Sequence, residues 1–390
     1  MLTALLLRLA FIFLGFPWLE GRWHLREDGD GYGKIAQSIR EGHYSDVTRG
    51  PVYPVFVAVA GSPVAVKVVQ AILDSMTCLL VWWLARFTLR ASRSTLHAPL
   101  WASWLWAIYP FAIWRVAFLN KEVLLAFLLA GYVCLQLIAL RNGKIWPWLA
   151  AGGILGLINL CKPMFLPWPI FFAAFAWWNR VPPARVALLV LGMLALIVPW
   201  TVRNWRVTDG EFLPVATERG GVTTFVGNYQ PTLGLWEGPG DLKARWMAAV
   251  DLIELRHVGA STVEMDRVFY RAAWQQMISN PSKALEMAVR KCGRFWFLSA
   301  AQRERKISFV IQIAWLLLAG IGLWQLRPWS AQTRLLVTLI LYGMLLHAIS
   351  YADLRFCLPL MPFLCVLGAT MFQRTERSTD ATLSAAMPTS

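Results

Sequence analysis

The chain has 390 residues, 57% of them hydrophobic and 15% charged, with a mean hydropathy of +0.51 and a net charge of +15. Soluble domains carry about 25% charged residues, so an ordinary cytosolic enzyme, a disordered tail and a secreted disulfide scaffold are excluded. An all-α polytopic membrane protein remains. The positive charge then reads as cytoplasmic loops collecting Lys and Arg. Nucleic acid is not an expected partner, because no basic run is interleaved with a strand- or groove-binding motif.

A membrane span takes about 20 apolar residues. Ten candidates follow in chain order: 2–19, 64–88, 98–114, 121–140, 147–161, 163–178, 186–200, 307–326, 335–351 and 356–372. Arg8 lies inside the first and no A-x-A site follows, so it reads as an uncleaved span. With the N-terminus inside, successive inner loops carry Arg90 and Arg93, Arg141 and Lys144, Arg180 and Arg185, and Arg327 and Arg334, with no acid among them. The acids gather elsewhere: six in residues 20–63 and eleven in residues 201–306. That asymmetry predicts an N-in, C-in protein of the plasma membrane, in bacteria the inner membrane.

Four parts follow from this frame. Residues 1–200 form an N-terminal transmembrane module whose first outer loop is 20–63. Residues 201–306 form a small mixed extracytoplasmic domain, 307–372 the last transmembrane helices, and 373–390 a disordered cytoplasmic tail. In the outer domain, Thr223-Thr-Phe-Val226 suggests a strand. Ser261-Thr-Val-Glu264 is a capping box, and Asn280-Pro281 opens a helix with a capping residue before Pro. Five cysteines lie in apolar stretches and Cys292 stands alone in the polar one, so neither disulfides nor a Cys-based metal site is expected. The 22 Trp cluster at span ends, as in interfacial belts; Trp205 is among the few placed to stack on a sugar or a lipid.

The first outer loop is the most unusual text. Glu27-Asp28-Gly29-Asp30-Gly31 precedes a stretch with apolar residues at Tyr32, Ile35, Ala36 and Ile39, which is helical spacing. It predicts an interfacial amphipathic helix with acids at its N-terminus, where carboxylates and anionic ligands are both favoured. Asp-Gly-Asp-Gly is also ordinary turn chemistry. Further charges stand at other span ends: Lys121-Glu122, Lys162, Arg203 and Arg355. The topology puts Arg49, Lys121, Lys162, Arg203 and Arg355 on the same side as Asp28, Asp30 and Glu122. Cations that hold a lipid phosphate beside an acid that takes a proton suit transfer chemistry at a membrane surface.

These residues resemble the GT-C membrane glycosyltransferases, in particular the protein O-mannosyltransferase-like family and the lipid A aminoarabinose transferases. The resemblance rests on Asp28 with Tyr32, Gly42-His-Tyr44, Arg49-Gly-Pro-Val-Tyr-Pro54, Val198-Pro-Trp-Thr-Val-Arg-Asn204, Asn280-Pro281 and Leu354-Arg-Phe-Cys-Leu-Pro-Leu-Met-Pro362, in that order over residues 1–370. It implies a polyprenyl-phosphate sugar donor, a glycan, lipid or protein acceptor and an active site outside the cytoplasm. Asp28 takes the place of the family's base, Arg49 that of a cation at the donor phosphate and Glu122 that of a second acid, often Asp in relatives. Relatives also often read Pro where this chain has Gly50.

The reading is an inverting transfer of a sugar to an acceptor hydroxyl. Asp28 is the base, with Asp30 and Glu122 as further catalytic acids. Arg49, Lys121, Lys162, Arg203 and Arg355 bind the donor phosphate, and Tyr32, Tyr53 and Trp205 line the groove. No cofactor is assigned; a divalent cation on Asp28 and Glu122 is the one candidate, since hard cations take oxygen ligands. The rival class is a transporter or flippase of lipid-linked sugars, which should show repeated halves and ionisable groups at the midplane. The chain has no internal repeat, and among its acids only Asp74 falls well inside a span.

Overall fold

The computed structural model describes residues 1–23, 28–89, 97–236, 240–297 and 305–372. The Glu27 side chain, the inner-loop Arg90 and Arg93 and the predicted tail 373–390 lie outside them. Among the described residues seven helices are long and apolar enough to cross a membrane: α1 (Leu2–Arg22), α4 (Pro63–Thr88), α7 (Glu122–Asn142), α10 (Pro183–Val207), a helix over Ile307–Gln325, one over Ala331–Ile349, and the segment Leu354–Phe372. Two shorter apolar helices, α8 (Trp146–Cys161) and α9 (Trp168–Trp178), match the expected spans 147–161 and 163–178.

The remaining expected span, 98–114, is not one helix. It divides into α5 (His97–Ala107) and α6 (Pro110–Arg115). Tyr109 has an extended conformation, because the ring of a following Pro disfavours helix at the residue before it. The segment Leu354–Phe372 is likewise a 3-10 turn over Leu354–Leu360 followed by the helix Met361–Gly368.

The first loop holds two helices. The predicted one, α2, spans Tyr32–Arg40, with Tyr32 and Ala36 buried. Sequence pattern missed the other, α3 (Val52–Ala60), which is apolar on nearly every face. It is anchored by Tyr53, whose hydroxyl donates to Gln70 Oε1 at 2.7 Å. Gln70 Nε2 in turn donates to Val116 O and Phe118 O at 3.1 and 2.9 Å. This chain of bonds ties the first loop to the segment that leads into Lys121 and Glu122.

The outer segment is helical rather than mixed; the described residues contain no strand. Thr223–Val226 lies within α11 (Gly220–Asn228). β-branched residues favour strands weakly, and tertiary packing overrides that preference. Here α11 packs on α13 (Thr262–Ser279), and a Cβ at Gly221 would stand 2.1 Å from Asp266 O. Between them in sequence, α12 spans Leu242–Arg256 and adds Val250 to the cluster of Phe225 and Phe269. Ser261 caps α13 by accepting from Glu264 N at 3.0 Å. Asn280 caps α14 (Pro281–Phe297) by accepting from Lys283 N at 3.1 Å. The helices over Arg305–Gln325 and Ala331–Ile349 are α15 and α16, and Met361–Gly368 is α17.

Deep in the bundle, Arg8 of α1 pairs with Asp74 of α4, both 0% exposed. The guanidinium also donates to Ala4 O and Ala107 O, at 3.1 and 2.9 Å. The charges inside these two spans thus answer each other, as buried membrane charges must. All six cysteines are free.

Candidate active site

The site is assembled from separate chain segments that end at one side of the bundle. The turn before α2 supplies Asp28 and Asp30. Asp28 Oδ1 accepts from Tyr32 N at 2.9 Å and Oδ2 from Gly33 N at 2.7 Å. The carboxylate therefore caps the helix that the sequence predicts, satisfying two of its orphan amides. Asp30 instead faces cations: Arg355 Nη1 at 3.5 Å and Arg49 Nη2 at 4.0 Å. Burial works to raise the Asp30 pKa, but Arg355, then Arg49, with Lys121 and Lys162 behind them, hold it below the usual carboxylate value.

Lys121 and Glu122 stand at the start of α7. Glu122 is 3% exposed, its Oε1 is 4.0 Å from Arg355 Nε, and its Oε2 is buried with no hydrogen-bond partner. Arg355 is positioned by the 3-10 turn: Asp353 Oδ1 accepts from its amide at 2.9 Å. Lys162 lies in the connector after α8, with its ammonium 3.8 Å from the centre of the Phe356 ring and no carboxylate bonded to it among the described residues. Burial lowers its pKa to about 8, against the pull of Glu122.

Sequence reading missed Glu218, which links these groups. It comes from the segment after α10, whose backbone bonds to the first loop: Thr217 N to Val47 O at 3.0 Å and Glu218 N to Thr48 O at 2.9 Å. Glu218 Oε1 accepts from Gly50 N at 2.9 Å, while Oε2 pairs with Lys121 and lies 3.4 Å from Arg49 Nη1. Burial would raise the Glu218 pKa, yet Lys121 and Arg49 hold it below the usual value. Glu218 and Arg219 both have φ of 51°, a left-handed conformation uncommon for residues other than glycine. The only sign in the sequence is an acid placed just ahead of Gly220-Gly221.

Gly50 explains one departure from the resembled pattern. A Cβ there would lie 2.2 Å from Leu160 O, so the loop presses directly on the end of α8, beside Lys162. A proline at this position would also lack the N–H that Glu218 accepts.

Several expected site residues lie elsewhere. Arg203 donates to Asp46 O at 3.1 Å, to Asn204 Oδ1 at 3.0 Å and to Tyr44 O, and stacks 4.9 and 4.6 Å from the Tyr44 and Trp200 rings. It fastens the first loop and joins none of the carboxylates. Tyr53 is fully buried and Tyr32 is 1% exposed; their rings meet edge-on at 4.6 Å. Both are core beneath the site, with Arg49 lying 5.8 Å over Tyr32. Trp205 is 55% exposed on the last turns of α10.

The carboxylates do not fit a shared divalent cation. Glu122 Oε1 lies 4.0 Å from the Arg355 guanidinium, which already supplies positive charge there. Among the described residues no three His, Cys, Asp or Glu side chains group as ligands.

No protein-family model matches the sequence, and no curated protein matches it. Among solved structures, the archaeal oligosaccharyltransferase AglB from Archaeoglobus fulgidus, in complex with an inhibitory peptide and a dolichol-phosphate, matches 99% of this chain with a TM-score of 0.56 at 14% identity. This chain spans about half of that protein, 51% of its length. ArnT from Cupriavidus metallidurans, bound to undecaprenyl phosphate, matches 92% of this chain and 75% of its own, with a TM-score of 0.39 at 14% identity. The AglB likeness shows the fold: this is the GT-C membrane fold that the sequence motifs resemble.

Proposed function

We propose that the chain transfers a sugar from a polyprenyl-phosphate donor to an acceptor hydroxyl, with inversion, on the outer face of the plasma membrane. One observation carries the reading. Arg49, Lys121, Lys162 and Arg355 converge with Asp30, Glu122 and Glu218 at one end of the bundle, and among the described residues no carboxylate is bonded to the ammonium of Lys162. Such a cluster suits a phosphate next to the lipid surface. The fold of AglB, which was solved with a dolichol-phosphate, agrees with it.

In this reading the acceptor oxygen attacks the anomeric carbon from the side opposite the phosphate. The bond between that carbon and the phosphate oxygen breaks, and polyprenyl phosphate leaves with the electron pair. The hydroxyl proton passes to Asp28. Of the two acids in the turn, Asp28 is the better base because no cation among the described residues pairs with it. Its amide bonds fix its direction and leave lone pairs free on each oxygen. Asp30 holds Arg49 and Arg355 toward the leaving phosphate. The segment after α10 roofs the site through Glu218 and bears on acceptor choice.

The test is transfer by purified membranes carrying single variants. Asp28→Asn should lower the rate by about 10²–10⁴-fold, the usual contribution of a general base. Near-normal transfer by Asp28→Asn together with loss in Asp30→Asn would show that the base is Asp30.

A further inference from the structure

A second feature lies at the other end of the bundle. Small side chains on α9 (Ala173, Ala176) and α10 (Ala187) leave a groove of ≈ 810 Å³ between the two helices. Trp177, which is 86% exposed, forms one wall; Val186, Val190 and Leu194 form the floor. At about 1.5 Å per residue, the stretch from Pro183 to Leu194 covers roughly 16 Å. The hydrocarbon core of a bilayer is about 30 Å thick, so the groove is one leaflet deep. Arg203, which fastens the first loop, lies about 30 Å from Pro183 along the same helix. The groove therefore opens on the membrane face opposite the Asp30 cluster.

Its mouth is basic. Arg180 lines it. In the first turn of α10, Arg185 has its Nη1 buried without a hydrogen-bond partner. Arg334 of α16 donates to Asn179 Oδ1 at 2.6 Å and leaves a buried Nε unpaired. Residues 179–186 and 326–334 contain no Asp or Glu. Among the described residues no carboxylate pairs with Arg180, Arg185 or Arg334; Arg180 lines the groove, Arg185 stands five residues on, and Arg334 bonds Asn179 beside Arg180. Guanidiniums so placed beside an apolar groove match a phosphate ester that carries an acyl chain.

We propose that this groove binds an anionic glycerophospholipid of the adjoining leaflet. Its phosphate sits among Arg180, Arg185 and Arg334, and one acyl chain runs along Val186, Val190 and Leu194. The site shares no residue with the sugar-transfer reading and stands or falls without it.

The test is native mass spectrometry of the detergent-solubilised full chain, titrated in parallel with phosphatidylglycerol and phosphatidylcholine of the same acyl chains. Wild type should keep phosphatidylglycerol under activation that strips phosphatidylcholine. Arg180→Gln, at an exposed position, should cut that preference about fivefold, the effect of one surface guanidinium on an anionic lipid. Ala187→Trp, which fills the groove, should lose both lipids. Equal retention of the two lipids by wild type, or an unchanged preference in Arg180→Gln, would reduce the occupant to ordinary annular lipid. Displacement of phosphatidylglycerol by inorganic phosphate in excess would show an anion site with no role for the acyl chain, and would overturn the proposal equally.

Discussion

Two charged assemblies in this molecule look alike on paper and differ in construction. Arg8 and Asp74 sit deep in the bundle, fully buried, with the guanidinium also bonded to two helix carbonyls within 3.1 Å. The cluster around Arg49 and Arg355 sits at the edge, where four of its ion contacts are between 3.4 and 4.0 Å. Among the described residues Glu122 Oε2 there has no hydrogen-bond partner, and the Lys162 ammonium lies over a ring with no carboxylate bonded to it. The first assembly is closed and staples two spans. The second is open, which is what the proposed phosphate site requires. An ionisable group inside a span is thus no evidence for transport when its partner lies on the next helix.

Substitutions should separate the two. The largest effect belongs to the open cluster: Arg49→Ala should cost about 10²–10³-fold in transfer, the typical loss of one well-placed electrostatic donor, with little change in the thermal midpoint of the solubilised protein. Asp74→Asn should do the reverse. It strands Arg8 and lowers stability by about 3–5 kcal/mol, while activity per folded molecule stays near wild type. If the two variants failed in the same way, the contrast between staple and site would be lost.

Glu218→Gln falls between them. It keeps an acceptor for Gly50 N but removes the negative charge facing Arg49 and Lys121. A stability loss of about 1–3 kcal/mol is expected, together with reduced transfer, because both cations lose their fixed position. The pH profile sharpens the site further. In the proposed reaction, donor binding uses Lys162 as an ammonium, and burial lowers its pKa to about 8. The transfer rate at low donor should therefore fall as pH rises through about 8, and Lys162→Met should flatten that limb.

The smallest effect is expected in the outer segment. Burial raises the Asp266 carboxyl to about 6, against the Gly221 amide that donates to it. The folded chain thus holds this proton longer than the unfolded chain, and the stability it contributes is complete below the unfolded value and lost as pH rises through about 6. Asp266→Asn keeps the acceptor and should stabilise the protein at neutral pH by about 1 kcal/mol, allowing for partial exposure. Thermal midpoints across pH 4–8 (a range of about two units on either side) would show the wild-type slope vanish.

The sequence by itself determined the membrane class, most of the spans, helix α2 and the caps at Ser261 and Asn280. Those follow from local rules: apolar run length, 3.6-residue spacing, and side chains that reach amides three residues away. It also named most of the cluster, because Arg49, Lys121, Glu122, Lys162 and Arg355 interrupt or border apolar runs where charge is costly. Tertiary structure decided the rest. It folded Thr223–Val226 into a helix by pressing Gly221 on Asp266, and broke the stretch 98–114 at Tyr109-Pro110. It turned Arg203 toward backbone carbonyls and buried Tyr53 in the core. It also brought Glu218 to Arg49, 169 positions away in the chain. No local pattern encodes that last meeting, because the partner of a surface-loop acid is set by how the segments pack.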